Sequence, residues 1–305
     1  MPEGDSVLRL SNRLQWMSGR TVTHTDVRVP RYATVKLDGQ QVHRVWPYGK
    51  HLFMHIGEQI VHTHLKMEGV WSIHAAGSRW RRPGYTARIV MRLSPQHPGG
   101  PQIEIVGHNL GFVRIYEHGE YGKVIGHLGP DILAEDWADT TVAGGSACGA
   151  DGDLGRGRWS GSGRDEAVRR IMLRPERSLG AALLDQKNVA GIGNEYRAEI
   201  MFLLGWHPAV SVGAVGESGV EQAVDLSRRV MWENRLEPRR IFTGDKRPGM
   251  GDYVFGRAGK ACRRCGEAIE QATLGGRFAG ADPDLDAGEL ERIIWWCPHC
   301  QKAES

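Results

Sequence analysis

The sequence predicts a multidomain α+β protein, and three features along its 305 residues support that prediction. Short apolar runs separated by Gly and Pro fill the first part, a helical pattern follows, and two Cys-x-x-Cys pairs stand near the end. A chain of this length holds roughly two ordinary domains. With the cysteine segment as a small third domain, we place the boundaries at 1–124, 125–245 and 246–305.

The first part of the chain reads mostly as β-strands. Runs rich in β-branched and aromatic residues, bounded by turn residues, favour a β-sandwich or a β-barrel. An opening segment with apolar residues at helical spacing predicts a short helix over 7–17. Examples of such runs, each predicted as a strand, are 41–46, 51–56, 60–65, 87–93, 103–106 and 112–116.

The middle of the chain has apolar residues at helical spacing, which predicts helices over 166–173, 179–186, 194–204 and 220–233. The third helix follows the turn Gly191-Ile192-Gly193, and we expect Asn194 to cap it. Glycines let the backbone approach a ligand closely, and free N–H groups at a helix start attract an anion such as a phosphate. Many ordinary helix–helix turns share this pattern. The Gly/Ser-rich stretch 143–163, which contains Cys148, predicts a flexible surface loop.

Four cysteines predict a structural zinc site, with Cys262 and Cys265 in one knuckle and Cys297 and Cys300 in the other. Two such turns supply four thiolates and leave no open coordination position. The spacer is longer than the roughly 15–20 residues usual for this pattern, and its extra length at 275–288 predicts a long hairpin tip. The alternative is a redox-active Cys-x-x-Cys motif, but the sequence around neither pair shows the βαβ pattern that accompanies such a motif.

Charge is nearly balanced over the whole chain, at +3, but it is not evenly distributed. Between 228 and 264 eleven basic residues face four acidic ones, which favours contacts with a phosphate backbone. An ordinary solvated face is the alternative. No apolar run approaches the roughly 20 residues of a membrane span, and no signal peptide is apparent. We therefore expect a cytoplasmic, nucleoid-associated protein whose cysteines bind metal.

Pro2 carries a possible nucleophile. Removal of Met1 would expose its secondary amine, whose pKa lies near the ~7.7–8 of α-amino groups, so that a useful fraction is unprotonated at neutral pH. Such an amine can attack C1′ of a deoxyribose and form an iminium ion. Glu3 stands beside it as a general acid or base. In isolation, a Met-Pro-Glu start would be inert.

Taken together, Pro2-Glu3-Gly4, the Gly49-Lys50 turn, the segment 183–194 and the paired cysteine knuckles resemble the formamidopyrimidine-DNA glycosylase/endonuclease VIII family over nearly the whole chain. The resemblance implies an N-terminal β-sandwich, a helical domain with a helix–two-turns–helix motif and a C-terminal zinc finger hairpin. It implies a monomeric bifunctional DNA glycosylase/AP lyase that needs one structural Zn2+. The partner would be damaged double-stranded DNA, with single-stranded or bubble DNA left open.

The resemblance also assigns residue roles. Pro2 would be the nucleophile, Glu3 the proton donor and Lys50 the catalytic lysine that contacts a phosphate. Lys187 and Asn194 would bind DNA near the helix start, and Met67 would fill the gap left by an everted base. The finger arginine would be Arg292, five residues before Cys297, in preference to Arg277. As alternatives, Lys50 could be an ordinary turn lysine, and Met67 could serve turn packing.

Two departures from the family pattern narrow the expected function. Asp5-Ser6 stands where Pro-Glu often continues the N-terminal motif. His108-Asn109-Leu110-Gly111 stands where the purine-specific branch has an Arg-Phe-Gly wedge. We therefore expect the endonuclease VIII branch, which favours oxidised pyrimidines. The alternatives are a purine-directed glycosylase and a non-catalytic damaged-DNA-binding protein. A zinc-ribbon transcription factor would leave residues 1–125 unexplained.

Overall fold

The computed structural model describes residues 2–138, 159–274 and 292–302. The chain forms two compact units, one of Pro2 with Ser6–Val124 and one of Glu3–Asp5 with the described part of Ile125–Ser305. The three-domain division predicted above stays a prediction. Most of the predicted loop with Cys148, and the hairpin insertion with Arg277, lie outside the described residues.

The first unit is a β-sandwich of two four-stranded antiparallel sheets. One sheet has the order β1-β6-β7-β5 and the other β2-β3-β4-β8. This decides between the sandwich and the barrel that the sequence left open. The strands are β1 (Val22–Val27), β2 (Val42–Tyr48), β3 (His51–Ile56), β4 (Gln59–His64), β5 (Val70–Ala75), β6 (Ala87–Leu93), β7 (Ile103–His108) and β8 (Phe112–Glu117).

Alternation along β3 explains which face of its sheet lies in the core. Leu52, Met54 and Ile56 point one way and belong to the main apolar cluster, because successive side chains of a strand face opposite sides. His51 and Phe53 point the other way, yet both are buried. That second face is covered by helix α2 (Tyr121–Ile125), whose Tyr121 ring packs edge-on against Phe53.

The opening helix, α1, spans Gly4–Leu14, and a short 3-10 turn continues it to Met17. It therefore begins three residues before the predicted start. Val7, Leu14 and Met17 are buried in the apolar cluster of the sandwich, which explains the helical spacing seen in the sequence.

The second unit contains the four predicted helices, with different bounds. They are α3 (Gly163–Met172), α4 (Leu179–Leu184), α5 (Asn194–Leu204) and α6 (Val212–Asn234). Helix α6 begins earlier than predicted and is interrupted at Gly216, where φ is 66°. Ser162, Ser178 and Ser211 cap α3, α4 and α6 through their side chains.

The predicted cap at Asn194 is wrong. The N-cap of α5 is Gly193, and Asn194 is the first helical residue. A glycine has no side chain to accept the free N–H groups of the helix start, so another group must supply the acceptor.

The last part of the unit is a hairpin built around the four cysteines. Strands β9 (Glu270–Leu274) and β10 (Arg292–Trp296) pair antiparallel, from Trp296 opposite Glu270 to Arg292 opposite Leu274. Phe202 of α5 packs in one apolar cluster with Val254, Ile269 and Cys297, so the hairpin is held against α5. Within the described part of the chain, no helix is long and apolar enough to cross a membrane.

Candidate functional site

The carboxylate of Glu3 supplies the missing cap of α5. Its Oε2 accepts a hydrogen bond from the Gly193 N–H at 2.8 Å, and its Oε1 accepts one from the Glu195 N–H at 3.0 Å. The side chain is fully buried. The partial positive charge of a helix N-terminus favours a carboxylate at this position. The residue joined directly to Pro2 is thus held in one place by backbone donors.

Gly193 is required for this arrangement by space rather than by backbone torsion. A Cβ atom at this position would lie 2.2 Å from Cδ of Glu3 and 2.4 Å from its Oε1. The Gly4 N–H also donates to the Gly191 carbonyl at 3.0 Å. The glycines of this turn therefore let the N-terminal segment approach the start of α5 closely. The sequence predicted a bound phosphate at these N–H groups, whereas the carboxylate of Glu3 accepts two of them.

Asp5 and Arg240 form a buried ion pair that fixes the same segment. Arg240 donates to both carboxylate oxygens of Asp5, at 2.7 and 2.9 Å, and also to Glu195. The Asp5 side chain is fully buried, and Arg240 is 9% exposed. A bidentate guanidinium–carboxylate pair has a defined geometry. The departure from the family pattern at position 5 therefore supplies a structural anchor.

Gln186 organises the turn that carries Lys187. Its buried amide donates to the carbonyls of Leu184 and Ile192 and accepts from the Gly191 N–H. Lys187 is exposed, its N–H donates to Asp185, and its carbonyl accepts from Arg170 at 2.6 Å. The backbone of Lys187 is thus fixed, while its side chain lies at the surface.

Asn194 and Arg197 connect the start of α5 to the cysteine hairpin. Asn194 Nδ2 donates to the Ile293 carbonyl at 3.1 Å, and Arg197 donates to that carbonyl at 2.9 Å and to Asn194 Oδ1. Arg197 is almost fully buried. Burial and the charge of Arg292 lower its pKa to about 9, and Glu3 opposes that shift. Arg292 and Glu3 therefore both lie within electrostatic reach of Arg197.

Lys50 lies in the tight turn between β2 and β3, beside a buried histidine. Gly49 in that turn has φ of 55°, which a glycine adopts readily. His51 pairs with His64 across β3 and β4. Burial, followed by the charges of Lys66 and Lys50, lowers the pKa of His64 to about 3. The lysine thus has a neutral imidazole as its neighbour at physiological pH.

Met67 lies at an exposed turn between β4 and β5, with 68% of its surface accessible. Lys66 before it has φ of 53°, an uncommon value for a residue other than glycine. The Lys66 N–H donates to Nδ1 of His64 at 2.8 Å, which supports the turn. An apolar side chain is therefore presented to solvent on a well-held loop.

The four predicted ligand cysteines converge. Their sulfur atoms all lie within 4.8 Å of one another, and those of Cys265 and Cys297 are 3.4 Å apart. That distance excludes a disulfide, whose sulfurs are about 2.05 Å apart. Although burial opposes it, backbone N–H groups of Arg264 and Cys265 lower the pKa of Cys262 to about 7. The cluster can hold a metal ion.

Comparisons with known families match two parts of the chain. Residues 1–103 match the formamidopyrimidine-DNA glycosylase N-terminal domain, and residues 161–237 match the formamidopyrimidine-DNA glycosylase H2TH domain. The chain is 36% identical over 303 residues to a Mycobacterium bovis protein named "Endonuclease 8 2", covering 99% of this chain and all of the relative. The chain belongs to the formamidopyrimidine-DNA glycosylase/endonuclease VIII family.

A second relative has the same overall similarity. The Mycolicibacterium smegmatis protein named "DNA-(apurinic or apyrimidinic site) lyase Nei2" is 36% identical over 304 residues, covering 99% of this chain and all of that protein. A solved structure of Lactococcus lactis formamidopyrimidine-DNA glycosylase bound to DNA with an AP site has a TM-score of 0.69 at 18% identity. It covers 99% of this chain and all of its own. This likeness confirms the family fold.

Three residues that organise the site were not predicted from the sequence. Arg197 and Arg240 act over long separations, since Arg240 is 235 residues from Asp5. Glu199 on α5 accepts hydrogen bonds from the N–H groups of Tyr253, Val254 and Phe255, each at 2.8 Å. Burial raises the pKa of Glu199 to about 7, against the effect of these bonds. For Arg197 and Glu199 the sequence signal was an ionisable residue on the apolar side of α5, whereas Arg240 lies outside the helices and had no such signal.

Proposed function

We propose that this protein is a bifunctional DNA glycosylase/AP lyase of base excision repair, acting on damaged double-stranded DNA. The observation that carries the proposal is the buried Glu3 carboxylate, held on the N-terminus of α5 and joined directly to Pro2. The relative named as an AP-site lyase, similar over its whole length, supports the lyase activity. The proposed reaction needs no redox cofactor, because no step in it changes an oxidation state through an external oxidant or reductant.

Pro2 would act through its amine after removal of Met1. The nitrogen bonds to C1′ of the damaged nucleotide while the bond from C1′ to the base breaks, and the base leaves with that electron pair and a proton. Loss of the amine proton and opening of the sugar give an iminium ion. This ion acidifies C2′, so proton loss there expels the 3′ phosphate, and a second elimination expels the 5′ phosphate. Water then releases Pro2.

Glu3 would move the protons of these steps. Its two oxygens accept backbone hydrogen bonds, which fix the carboxyl at the start of α5. A positioned general acid or base contributes about 10²–10⁴-fold to rate. Lys50 would contact a phosphate of the damaged strand and assist proton transfer, and the neutral His64 beside it adds no competing positive charge.

The other predicted site residues would bind DNA. Lys187 is exposed at the turn before α5, as a phosphate contact requires. Met67 would enter the duplex where the damaged base has left, since the turn presents it to solvent. Arg292 would place its guanidinium near the lesion. Asn194 would orient a phosphate through its side chain, which also bonds to the Ile293 carbonyl.

Zinc would occupy the four-cysteine cluster. A tetrahedron of thiolates with zinc–sulfur bonds of about 2.3 Å has sulfurs about 3.8 Å apart, and the observed limit of 4.8 Å fits that group. Four sulfurs fill the coordination of the ion, so its role is to fold the hairpin that carries Arg292.

Oxidised pyrimidines are the substrates that we favour. Two observations support this choice: the similarity to relatives named endonuclease 8, and His108-Asn109-Leu110-Gly111 in place of the Arg-Phe-Gly wedge. A purine-directed enzyme and a non-catalytic DNA-binding protein are the outcomes that would replace this proposal.

Strand incision on defined duplexes tests the proposal. Duplexes with one AP site, one thymine glycol or one 8-oxoguanine are incubated with the wild type, Glu3→Gln and Lys50→Ala. We expect cleavage at the AP site and at thymine glycol, with base removal falling by about 10²-fold or more in Glu3→Gln. Fastest cleavage at 8-oxoguanine would indicate a purine-directed enzyme. Binding without cleavage, by protein that begins at Pro2, would leave the DNA-binding alternative.

A further inference from the structure

An exposed, arginine-rich loop joins β5 to β6 in the first unit. Arg79, Arg81 and Arg82 are all exposed, and Tyr85 is 83% exposed. We refer to these four residues as the loop surface. Tyr85 is more exposed than any other large hydrophobic residue in the described part of the chain. Nothing in the proposed reaction uses this surface.

The acidic residues that reach this loop, Glu104 and Asp26, pair with Arg92 and Arg28 and not with the arginines of the loop surface. The chain has five arginines and no aspartate or glutamate from 69 to 103. Among the described residues, Arg79, Arg81 and Arg82 form neither a salt bridge nor a side-chain hydrogen bond. The charge of Arg82 reaches His108, whose pKa is lowered mainly by burial and then by this arginine. Such a surface attracts an anion.

The loop is held in place by Trp80. Its Nε1 donates to Glu104 at 2.6 Å, and Glu104 also accepts from Arg92 at 2.8 Å. Arg28 lies over the Trp80 ring at 5.4 Å and donates to the Gly84 carbonyl at 2.9 Å. Trp80 thus anchors the loop through internal contacts, whereas the ring of Tyr85 faces solvent.

Contacts connect the loop surface to the 108–111 turn and, through it, to the turn of Met67, which the proposed function places in the DNA. The Asn109 N–H donates to the Thr86 carbonyl at 2.8 Å, and Thr86 Oγ1 lies 2.8 Å from Nδ1 of His108. A Cβ on Gly111 would lie 2.2 Å from Cγ of Lys66, the residue before Met67. The Met67 turn, the 108–111 turn and the loop surface are therefore adjacent.

Backbone torsions set these turns apart. Lys66 and Asn109 have φ of 53° and 47°, and they are the only described residues other than glycine with positive φ. Such torsions cost energy and concentrate at ligand-contacting segments. The strain marks the same edge of the sandwich to which the loop surface is joined.

We propose that the loop surface binds an unpaired DNA strand that continues from the lesion-containing duplex. The inference rests on the proposed function. Arg79, Arg81 and Arg82 contact successive phosphates, and an unstacked base lies on the ring of Tyr85. An unpaired strand fits this surface better than a duplex does, because only an unstacked base has a free face that can stack on the Tyr85 ring. Aromatic rings beside basic side chains are typical of proteins that bind single-stranded nucleic acid.

Binding to two DNAs tests the proposal. Both DNAs carry a tetrahydrofuran AP-site analogue in the same short duplex. One DNA is blunt, and the other has an eight-nucleotide single-stranded tail. The tail is tested on the lesion strand and, separately, on the opposite strand. Fluorescence anisotropy gives the Kd of the wild type, Tyr85→Ala, Tyr85→Phe and the triple variant Arg79→Gln/Arg81→Gln/Arg82→Gln. A charge-matched control removes three exposed cations elsewhere in the unit, in Arg13→Gln/Arg31→Gln/Lys36→Gln.

We expect a tail on one strand to tighten wild-type binding. Tyr85→Ala should weaken binding to that tailed DNA by about tenfold, and the arginine triple variant should remove the tail advantage and its salt dependence. Tyr85→Phe and the control triple variant should retain the advantage, and blunt-duplex binding should change little throughout.

Three outcomes would overturn the inference: no tail advantage, an advantage equal in all variants, or losses equal on blunt and tailed DNA, which would indicate a duplex contact. AP-site cleavage of the blunt duplex is measured in parallel. If the wild type cleaves and the tail has no effect, only this inference fails. If the wild type does not cleave, the proposed function fails separately.

Discussion

At the residue scale, the site depends on a carboxylate that takes the place of a helix cap. Glu3 accepts the N–H groups that a serine or aspartate N-cap would normally accept, and Gly193 leaves the space for it. The same contact satisfies the start of α5 and orients the residue next to Pro2. The proposed catalytic role of Glu3 is therefore linked to the stability of the helix start.

Gly193→Ala tests that link. The added Cβ would meet Glu3 at 2.2 Å, so the carboxylate must move and leave buried N–H groups without an acceptor, which costs about 1–3 kcal/mol. We expect that loss in urea unfolding, together with reduced base removal. Gly122→Ala is the control, because its Cβ meets nothing within 4 Å. Unchanged stability and activity in Gly193→Ala would contradict this role of Glu3.

His64 gives a pH dependence with a defined sign. Its pKa is about 3 in the folded protein and about 6.5 in an unfolded chain. The unfolded state therefore binds more protons between these values, and the free energy of unfolding falls as pH falls from about 6.5 towards 3. We expect His64→Asn, which keeps an acceptor for the Lys66 N–H, to flatten this fall in unfolding measured from pH 7.5 to 5. The exposed His97→Asn should leave it unchanged, and an equal slope in wild type and His64→Asn would count against the buried neutral imidazole.

At the element scale, the local sequence pattern predicted many of the helices and strands. It missed two strands and the contacts between residues far apart in the sequence. The predicted bounds of β3, β6 and α5 agree with the structure because each apolar run is delimited by turn residues. Strand β1 was missed since its sequence, Val-Thr-His-Thr-Asp-Val, is largely polar. Strand β5 was missed as well; it reads Val-Trp-Ser-Ile-His-Ala.

The same difference between local and long-range signals applies to the residues of the candidate site. The four cysteines could be predicted to converge because their spacing is local. The catalytic roles of Pro2 and Glu3 stay predictions that rest on a contiguous motif with family counterparts. Glu3 caps α5 from 190 residues away, a contact that the local sequence does not reveal. The local pattern therefore indicated Asn194 as the N-cap, whereas the N-cap residue is Gly193. Long-range partners such as Arg240 have no local signature.

The ion pair between the start of α1 and Arg240 should be a strong stabiliser of these elements. Asp5→Asn removes the charge of one partner of a buried ion pair, so the buried charge of Arg240 is no longer neutralised by Asp5. We expect the free energy of unfolding to fall by about 3–5 kcal/mol. The pair of half-buried Asp245 with exposed Arg247 is the control, and Asp245→Asn should change stability far less than Asp5→Asn. Equal effects of the two substitutions in urea unfolding would contradict the anchoring role.

At the scale of the whole molecule, the cysteine hairpin contributes contacts to the start of α5 through Ile293. Removal of zinc by a chelator should therefore abolish DNA cleavage, and the hairpin should become susceptible to proteolysis. We expect one zinc per chain by elemental analysis, and less in Cys265→Ser. Cys148→Ser, outside the two knuckles, is the control and should keep the full amount. Full activity in metal-free protein would contradict this account.

In the proposed reaction, the amine of Pro2 attacks C1′ of the damaged nucleotide. Borohydride trapping on an oligonucleotide with one AP site tests it most directly, using protein whose mass shows that Met1 is absent. We predict a covalent adduct that maps to the N-terminal peptide, and none from a protein whose N-terminal extension ties Pro2 into an amide. An adduct at another residue, or no adduct from zinc-containing protein that begins at Pro2, would contradict the account.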